Sequence, residues 1–225
     1  MHHQIQLYLE ITLNTKPGSQ KMKVEKKLKR ERYFKRLNKG DYNYLFIHIN
    51  KNAGRSIEQS LQITKFHATA LEYKKQIAPE IWETLFTFAF VRNPWDRAVS
   101  LYKYRVLRGR VAESTPFKHW LSETFSDLTK KPYMKRVNAP QMKWLVDESG
   151  KIIVDFIGRF ENLEEDFQTL CNIINVDTQL LHINKTKHKH YSYYYDKECY
   201  EIVYNWFKED IDNFNYGFED IACRL

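Results

Sequence analysis

The chain has 225 residues, of which 43% are hydrophobic and 28% are charged, and its formal net charge is +8. This balance is typical of a folded domain and excludes a disordered or collagen-like chain, while the positive charge favours an anionic partner. Cys171, Cys199 and Cys223 lack Cys-x-x-Cys spacing, which argues against a disulfide framework or a zinc site. The sequence has no apolar run of about 18 residues, so we expect no transmembrane segment. The lack of such a run favours a cytoplasmic enzyme or the soluble catalytic domain of a membrane-anchored enzyme.

The first segment of the chain, residues 1–40, is dense in cations, most clearly between Lys21 and Arg36. Its apolar residues have no regular spacing, so we expect a solvated helix or a flexible basic arm. The sequence therefore predicts a basic N-terminal extension, residues 1–40, followed by one domain, residues 41–225.

Three short apolar runs in this domain predict buried strands, at Tyr44–Ile49, Leu85–Val91 and Ile152–Ile157. Each run is followed by apolar residues at helical spacing. Continuous apolar strands that alternate with helices are typical of a parallel sheet covered on both faces. We therefore predict an α/β fold with a single, doubly wound parallel sheet.

Several of the predicted helices have a recognisable start. Thr69 and Glu72 have the spacing of a capping box, and Asn93 is a suitable N-cap with Pro94 at the first helical position. Two further starts are predicted at Thr115-Pro116 and at Asn162–Glu165.

The segment after the first predicted strand has the composition of an anion-binding loop. A helix N-terminus presents free backbone N–H groups and the positive end of the helix dipole. Ala53 and Gly54 allow the backbone to approach an anion, and Lys51, Arg55 and Ser56 add charge and a hydroxyl group. The lysine precedes the glycine, unlike the lysine of nucleoside triphosphatases, so the loop is P-loop-like only. The alternative is an ordinary strand-to-helix turn with surface cations.

A second set of polar residues follows the second predicted strand. Arg92 lies where that strand ends, at the edge where open α/β sheets bind ligands. Ser100 lies two turns into the next helix, on a different side from the apolar face of Trp95, so we expect no core position for it. Together Arg92 and Ser100 are suited to a second phosphate. The alternative is an arginine at the sheet edge and an incidental surface serine.

These two segments, in this order, resemble the motifs of the sulfotransferase superfamily, most closely its membrane-associated and bacterial carbohydrate-type branch. The resemblance runs from Tyr44 to Phe218 and includes the segments Asp155–Leu163, His182–Lys185 and Asp212–Phe218. The chain departs from the family pattern at Asn50, where the family has proline, and at Asn52 and Arg55, where it has threonine.

The resemblance implies transfer of a sulfonate group from 3′-phosphoadenosine 5′-phosphosulfate (PAPS) to a hydroxyl of a carbohydrate. The product nucleotide would be adenosine 3′,5′-bisphosphate (PAP), and no metal would be needed. Arg92 and Ser100 would bind the 3′-phosphate, Phe160 would pack near the adenine, and Lys51 would neutralise charge on the leaving phosphate. The residues that would hold the 5′-phosphosulfate are Lys51, Asn52, Ala53, Gly54, Arg55 and Ser56.

Transfer to a hydroxyl also needs a proton acceptor, and histidine is suited to that role near neutral pH. His67 precedes the Thr69 cap, which predicts a position at the sheet edge beside the Lys51 loop. Related enzymes place a catalytic histidine between the two phosphate motifs, so His67 is the predicted base. A histidine that merely caps the helix start is the alternative interpretation. The other candidate bases are Glu72, His188 and His190.

Other functions stay open on the sequence alone. The basic and tyrosine-rich segment Asn184–Tyr195 is suited to closing over a nucleotide, to stacking on a sugar, or to a solvated loop. With the basic extension it also fits a non-enzymatic nucleic-acid-binding protein. The motif departures fit a degenerate sulfotransferase that binds nucleotide or glycan without turnover. Because the sharpest motifs lie at strand-to-helix turns, we predict a sulfotransferase without a nucleic-acid partner.

Overall fold

The computed structural model describes residues 18–63, 66–133, 136–181, 183 and 189–221. The chain divides into two compact units. The first contains the described residues up to Asn43 together with Lys74–Leu85, and the second contains the described residues of Tyr44–Tyr73 and those from Phe86 onward. The division into an extension, residues 1–40, and a domain, residues 41–225, stays a prediction.

In the described part of the chain, each strand is followed by one or more helices. The helices are α1 (Gly18–Leu37), α2 (Gly54–Ser60), α3 (Ala70–Lys74), α4 (Pro79–Trp82), α5 (Pro94–Leu107), α6 (Phe117–Phe125), α7 (Met142–Leu145), α8 (Leu163–Ile173) and α9 (Lys197–Phe214). The strands are β1 (Tyr44–Ile47), β2 (Phe86–Val91) and β3 (Phe156–Arg159). Short 3₁₀-helices lie at Leu128–Tyr133, Arg136–Asn138, Phe160–Asn162 and Tyr191–Tyr194.

In the first unit, the described part of the basic segment is helix α1, which agrees with the solvated-helix interpretation. The end of this helix is tied to the segment before α4 by Asn38. Its Nδ2 donates to the carbonyl oxygen of Gln76 at 3.1 Å, and its Oδ1 accepts from the backbone N–H of Ala78 at 2.6 Å. Because both amide atoms are used, Asn38 fixes the chain where α1 ends and α4 is about to begin.

In the second unit, the described strands form a parallel sheet of order β1-β2-β3. Phe46 is paired with Phe88, and Phe88 is paired with Phe156. Strands β1 and β2 are short apolar runs with largely buried side chains, as expected for parallel strands, whereas in β3 only Gly158 is buried. The α/β class and the first two predicted strands are confirmed.

The third predicted strand is wrong over its first part, because β3 begins at Phe156 and not at Ile152. Ile152 instead forms an isolated antiparallel bridge with Val146. The carboxylate of Asp155 accepts from the backbone N–H and the hydroxyl of Thr87, both at 2.7 Å. The Asp155 side chain takes the N–H of Thr87, and regular pairing between β2 and β3 begins only at the next residue.

Two apolar clusters hold the elements of the second unit. Phe88 and Phe90 of the sheet pack with Ile57 of α2 and with Phe167 and Leu170 of α8. A second, aromatic cluster joins α5, α6 and α9. Its largest members include Trp95, Tyr102, Trp120, Phe125 and Trp206. Since full burial of one such side chain contributes about 1.5–3 kcal/mol, this cluster makes α5 a rigid support for the residues at its start.

Two of the four predicted helix starts are confirmed with their capping residues. Asn93 Oδ1 accepts from the N–H of Trp95 at 3.0 Å, with Pro94 at the first position of α5. The N–H of Thr69 donates to the Glu72 carboxylate, and the N–H of Glu72 donates to the Thr69 hydroxyl. Helix α6 begins after Pro116, which occupies the N-cap position itself, so Thr115 is not a cap with Pro116 at the first helical position as predicted. The predicted Asn162 cap is also wrong, because its side chain makes no capping hydrogen bond to α8.

Candidate active site

A cavity of about 650 Å³ opens in the second unit, at the carboxyl ends of the three strands. This is the edge where open α/β sheets bind ligands. The predicted site residues that line it are Lys51, Ala53, Gly54, Arg55, Ser56, His67, Arg92, Ser100 and Phe160. The structure therefore brings together in one cavity residues from both sequence motifs and from the segment after β3.

The loop between β1 and α2 turns sharply because two of its residues are left-handed. Lys51 has a φ of 76° and Ala53 has a φ of 58°. Non-glycine residues in this conformation cost on the order of 1–3 kcal/mol each and are concentrated at functional sites. The first N–H groups of a helix have no partner within the helix, and those of α2 begin directly after Ala53.

Gly54 is required by the close approach of His48. A β-carbon at position 54 would lie only 2.1 Å from His48 Nε2. His48 follows the end of β1 and is itself held by a buried contact, with its Nδ1 2.5 Å from Glu58 Oε1. The glycine therefore allows the loop to lie directly against a buried imidazole, which also lines the cavity.

The ammonium group of Lys51 is partly buried beside an aromatic ring. Its Nζ lies 4.4 Å from the centre of the Tyr104 ring. Burial, and secondarily the positive charge of Arg92, lowers the pKa of Lys51 from 10.5 to about 8. The ammonium group is therefore poised to gain stability from an anion in the cavity.

Arg92 connects three parts of the site. Its guanidinium group lies 3.8 Å from the centre of the Phe160 ring, and its Nη1 donates to the carbonyl oxygen of Lys51 at 3.0 Å. Nε and Nη2 contact Asp96 Oδ2 at 2.8 and 2.7 Å. The planar group is thus held between an aromatic ring and a carboxylate, which fixes its orientation at the cavity wall.

The two serines of the site are both buried. Ser100 is only 3% exposed, although we expected it outside the core. It lies on α5 at the cavity wall, so its burial and its access to the cavity are compatible. Ser56 Oγ accepts from the N–H of Ile183 at 3.2 Å, which holds the segment around Ile183 near the start of α2. Arg55, in contrast, is exposed at the cavity.

Asn52 is the one predicted ligand-binding residue whose side chain does not line the cavity. It is 1% exposed, and its Nδ2 donates to Phe90 O and to Gln141 Oε1, both at 2.7 Å. Asn52 therefore braces the loop from behind, and any ligand contact is left to its backbone.

Among the candidate bases, His67 and His190 line the cavity. His67 lies beside the loop as predicted, with its ring centre 4.5 Å from that of His48. Glu72 lies outside the cavity lining and pairs with Arg136 and with the N–H of Thr69. His190 Nδ1 is 3.0 Å from Ser192 Oγ. His188 lies outside the described residues, as does most of His182–Lys185.

The sequence interpretation missed three buried polar residues that support the site. Gln141 is fully buried between Asn52 and Arg92. Arg97 donates to three backbone carbonyls, and burial lowers its pKa to about 10. Burial raises the pKa of Asp210, which faces Arg97, to about 6. The available sequence signal for Asp210 was a charged residue among the regularly spaced apolar residues of α9. The sequence around Gln141 carried no comparable signal.

Two further observations concern the described residues only. They contain no group of three or more histidine, cysteine, aspartate or glutamate side chains arranged to hold a metal ion. No helix in this part of the chain is both long enough and apolar enough to cross a membrane.

Comparison with known proteins supports the interpretation of the motifs. An "uncharacterized protein" of Archaeoglobus fulgidus is 29% identical over 108 residues, which cover 48% of this chain and 82% of that protein. No solved structure matches the chain. The model of the sulfotransferase family matches residues 29–217, which include every residue that lines the cavity except Glu219. The chain therefore belongs to the sulfotransferase family.

Proposed function

We propose that the cavity binds PAPS and that the chain transfers its sulfonate group to a hydroxyl of a carbohydrate, releasing PAP. The observation that carries this proposal is the pairing of two cationic segments in one cavity. The Lys51 loop and Arg92 are joined directly, since Arg92 Nη1 donates to Lys51 O at 3.0 Å. Two neighbouring anion sites of this kind suit a ligand with phosphate groups at both its 3′ and 5′ ends.

The donor would lie across both segments. The loop Lys51–Ser56 would hold the 5′-phosphosulfate through backbone N–H groups and the charges of Lys51 and Arg55. Arg92 and Ser100 would bind the 3′-phosphate, and Phe160 would lie beside the adenine. The left-handed conformations of Lys51 and Ala53 support a P-loop-like role for this loop. We also propose that the parallel sheet from which the loop extends is doubly wound.

The reaction would be an in-line displacement at sulfur. The acceptor oxygen forms a bond to sulfur while the bond between sulfur and the phosphate oxygen breaks. His67 accepts the hydroxyl proton, and Lys51 neutralises the charge that develops on the leaving phosphate. Because an anionic donor raises a nearby lysine pKa, Lys51 would be protonated in the complex at neutral pH. The positive charge comes from the chain itself, so the proposed step needs no metal.

A carbohydrate acceptor is supported by an aromatic residue of the cavity. Tyr104 lines it and is partly exposed, and aromatic faces stack well on sugar rings. Tyr191 also lines the cavity but is only 5% exposed, and its hydroxyl accepts from the N–H of Glu219 at 2.7 Å, so it supports the wall. The tyrosine-rich segment would then contact the acceptor or cover the donor, and it would not serve as a nucleic-acid surface.

The proposal is tested by nucleotide binding followed by turnover. PAP should raise the melting temperature more than AMP or ATP does, and PAP at about 100 times its Kd should add ~2.7 kcal/mol of stability. Arg92→Ala should remove most of this preference, whereas Arg110→Ala, exposed and outside the cavity lining, should not. Incubation with PAPS and a carbohydrate panel should then give a sulfonate adduct by mass spectrometry.

Two results would count against the proposal in different ways. Equal stabilisation by PAP, AMP and ATP would remove the assignment of a 3′-phosphate site to Arg92 and Ser100. Selective PAP binding without an adduct on any acceptor would instead favour a degenerate member of the family that binds nucleotide without turnover.

A further inference from the structure

Gln141 lies between the two anion-binding segments and contacts both of them with one side-chain amide. Its Oε1 accepts from Asn52 Nδ2 at 2.7 Å and from the backbone N–H of Arg92 at 2.9 Å. Its Nε2 donates to the carbonyl oxygen of Arg92 at 2.8 Å. The amide therefore pairs with both backbone groups of Arg92, as a neighbouring strand would, and holds the Lys51 loop through Asn52.

Gln141 is itself anchored from a third element. Its backbone N–H donates to Asp210 Oδ2 at 2.8 Å, and the N–H of Met142 donates to Asp210 Oδ1 at 2.9 Å. Asp210 belongs to α9 and is fully buried. Since α9 is part of the aromatic cluster that supports α5, the amide of Gln141 is held by the rigid part of the unit.

The surroundings of this amide leave it little freedom to move. Gln141 has no exposed surface, and Asn52 is 1% exposed. Buried polar groups that lose a hydrogen-bond partner are strongly disfavoured. Asn52 is further tied to the end of β2, because its Nδ2 also donates to Phe90 O at 2.7 Å. A displacement of either segment would break contacts that water cannot replace in this environment.

We propose that Gln141 is a positioning residue that sets the spacing between the 5′-phosphosulfate site and the 3′-phosphate site. This inference rests on the proposed function. Gln141 does not line the cavity, so it acts through Asn52 and Arg92 and not through the ligand. A ligand with two phosphates gains from this spacing only when both groups are bound at once. Ligands with one phosphate depend on one segment and are affected less.

Two other contacts also join the two segments, and only one of them uses a side chain that lines the cavity. Arg92 Nη1 donates to Lys51 O, and Arg97 Nε donates to Asn50 O at 3.2 Å. The first of these uses a guanidinium group that the donor itself would engage. Gln141 contacts the side chain of Asn52 and both backbone groups of Arg92 without lining the cavity, which makes it the suitable element for setting the distance in advance.

The test is a comparison of four ligands by isothermal titration calorimetry: adenosine, AMP, adenosine 3′-monophosphate and PAP. The product of the Kd values of the two monophosphates, divided by the product of the values for PAP and adenosine, measures the coupling of the two sites. We expect Gln141→Leu to lower this coupling by about tenfold, within the range of ordinary coupling energies. Its Kd values for the monophosphates should change by less than about threefold, because each segment persists.

Two more variants each remove a different part of the contact between Gln141, Asn52 and Arg92. Gln141→Glu keeps the acceptor for Asn52 but loses the donor to Arg92 O, so we expect an intermediate loss of coupling. Asn52→Ala removes the loop side of the contact and leaves Gln141 on Arg92, so we expect a loss like that of Gln141→Leu. Gln168→Leu, an exposed position on α8, is the matched control and should leave coupling unchanged.

Distinct outcomes separate the inference from the function on which it rests. Equal weakening of all four ligands in the variants would show that Gln141 only supports the fold, and it would overturn the inference. Unchanged coupling in Gln141→Leu and Asn52→Ala would overturn it as well. If Gln141→Leu fails to fold, Gln141→Glu and Asn52→Ala decide the matter. A wild-type protein that does not prefer PAP to AMP would overturn the proposed function first.

Discussion

The depressed pKa of Lys51 predicts a particular pH dependence of nucleotide binding. In the cavity without ligand, burial lowers this pKa from 10.5 to about 8. A bound phosphate favours the protonated lysine, so PAP binding above pH 8 must be accompanied by uptake of a proton. The affinity for PAP should therefore fall as the pH rises through about 8. Above pH 7 the ligand's own charge is nearly constant, because the second pKa of a phosphate monoester is about 6.

The magnitude follows from the fraction of protonated Lys51. With a pKa of about 8, roughly nine-tenths of the side chain is protonated at pH 7 and roughly one-tenth at pH 9, so the Kd of PAP should rise about tenfold. The stability of the ligand-free protein should change in the opposite direction. The unfolded chain keeps its proton up to pH 10.5, so this lysine's contribution to stability improves as the pH rises from about 8 to 10.5.

The assay is calorimetric titration of PAP between pH 7 and pH 9, with Lys51→Met and Lys51→Arg as controls. Lys51→Met should bind PAP weakly at every pH, and Lys51→Arg should bind with little pH dependence because arginine stays protonated. At pH 7 the ligand-free Lys51→Met protein should be more stable than the wild type by roughly 2–3 kcal/mol at most, after allowance for partial exposure. A Kd that is constant from pH 7 to pH 9, or the same slope in Lys51→Met, would refute the reasoning.

Two further predictions concern Gly54 and His67. Gly54→Ala would place a β-carbon 2.1 Å from His48 Nε2. It should destabilise the protein by ~1–3 kcal/mol in denaturant unfolding, whereas Gly217→Ala, with nothing within 4 Å of its added carbon, should be nearly neutral. A stable Gly54→Ala protein would contradict this packing argument. His67→Ala should lower turnover by ~10²–10⁴-fold with PAP affinity retained, and His190→Ala should stay active; the reverse result would assign the base to His190.

The features that were predictable from sequence depend on neighbouring residues. Buried strands are apolar runs, and capping residues lie within three positions of the groups that they cap, so β1, β2 and the starts of α3 and α5 were all predictable. The sharp loop before α2 was also predictable, because the sheet edge and the positions of Lys51 and Gly54 follow from the same short segment. Local rules were sufficient wherever the partner was close in the sequence.

The features that were not predictable depend on distant partners. Asp155 interrupts the third apolar run because its carboxylate binds Thr87, 68 residues earlier. Asn52 occupies a motif position assigned to the ligand, yet it binds Gln141, 89 residues away. Gln141 in turn contacts Arg92 and Asp210 at separations of 49 and 69 residues. Such contacts form only when the helices and strands pack together, and no spacing pattern in the sequence indicates them.

Arg97 and Asp210 are buried charged residues whose contacts are mainly to the backbone. Buried charges are weak contributors to stability, because desolvation offsets much of any attraction between them. Arg97 directs its donors to the carbonyl oxygens of Asn50, Val137 and Ala139, and Asp210 accepts from the backbone at Gln141. Arg97 thus joins the Lys51 loop to the segment before α7, and Asp210 joins the start of α7 to helix α9. An apolar pair of similar volume would fill the space but leave these carbonyl and N–H groups without partners. The charges are therefore best understood as fixing the backbone on which the two anion sites are built.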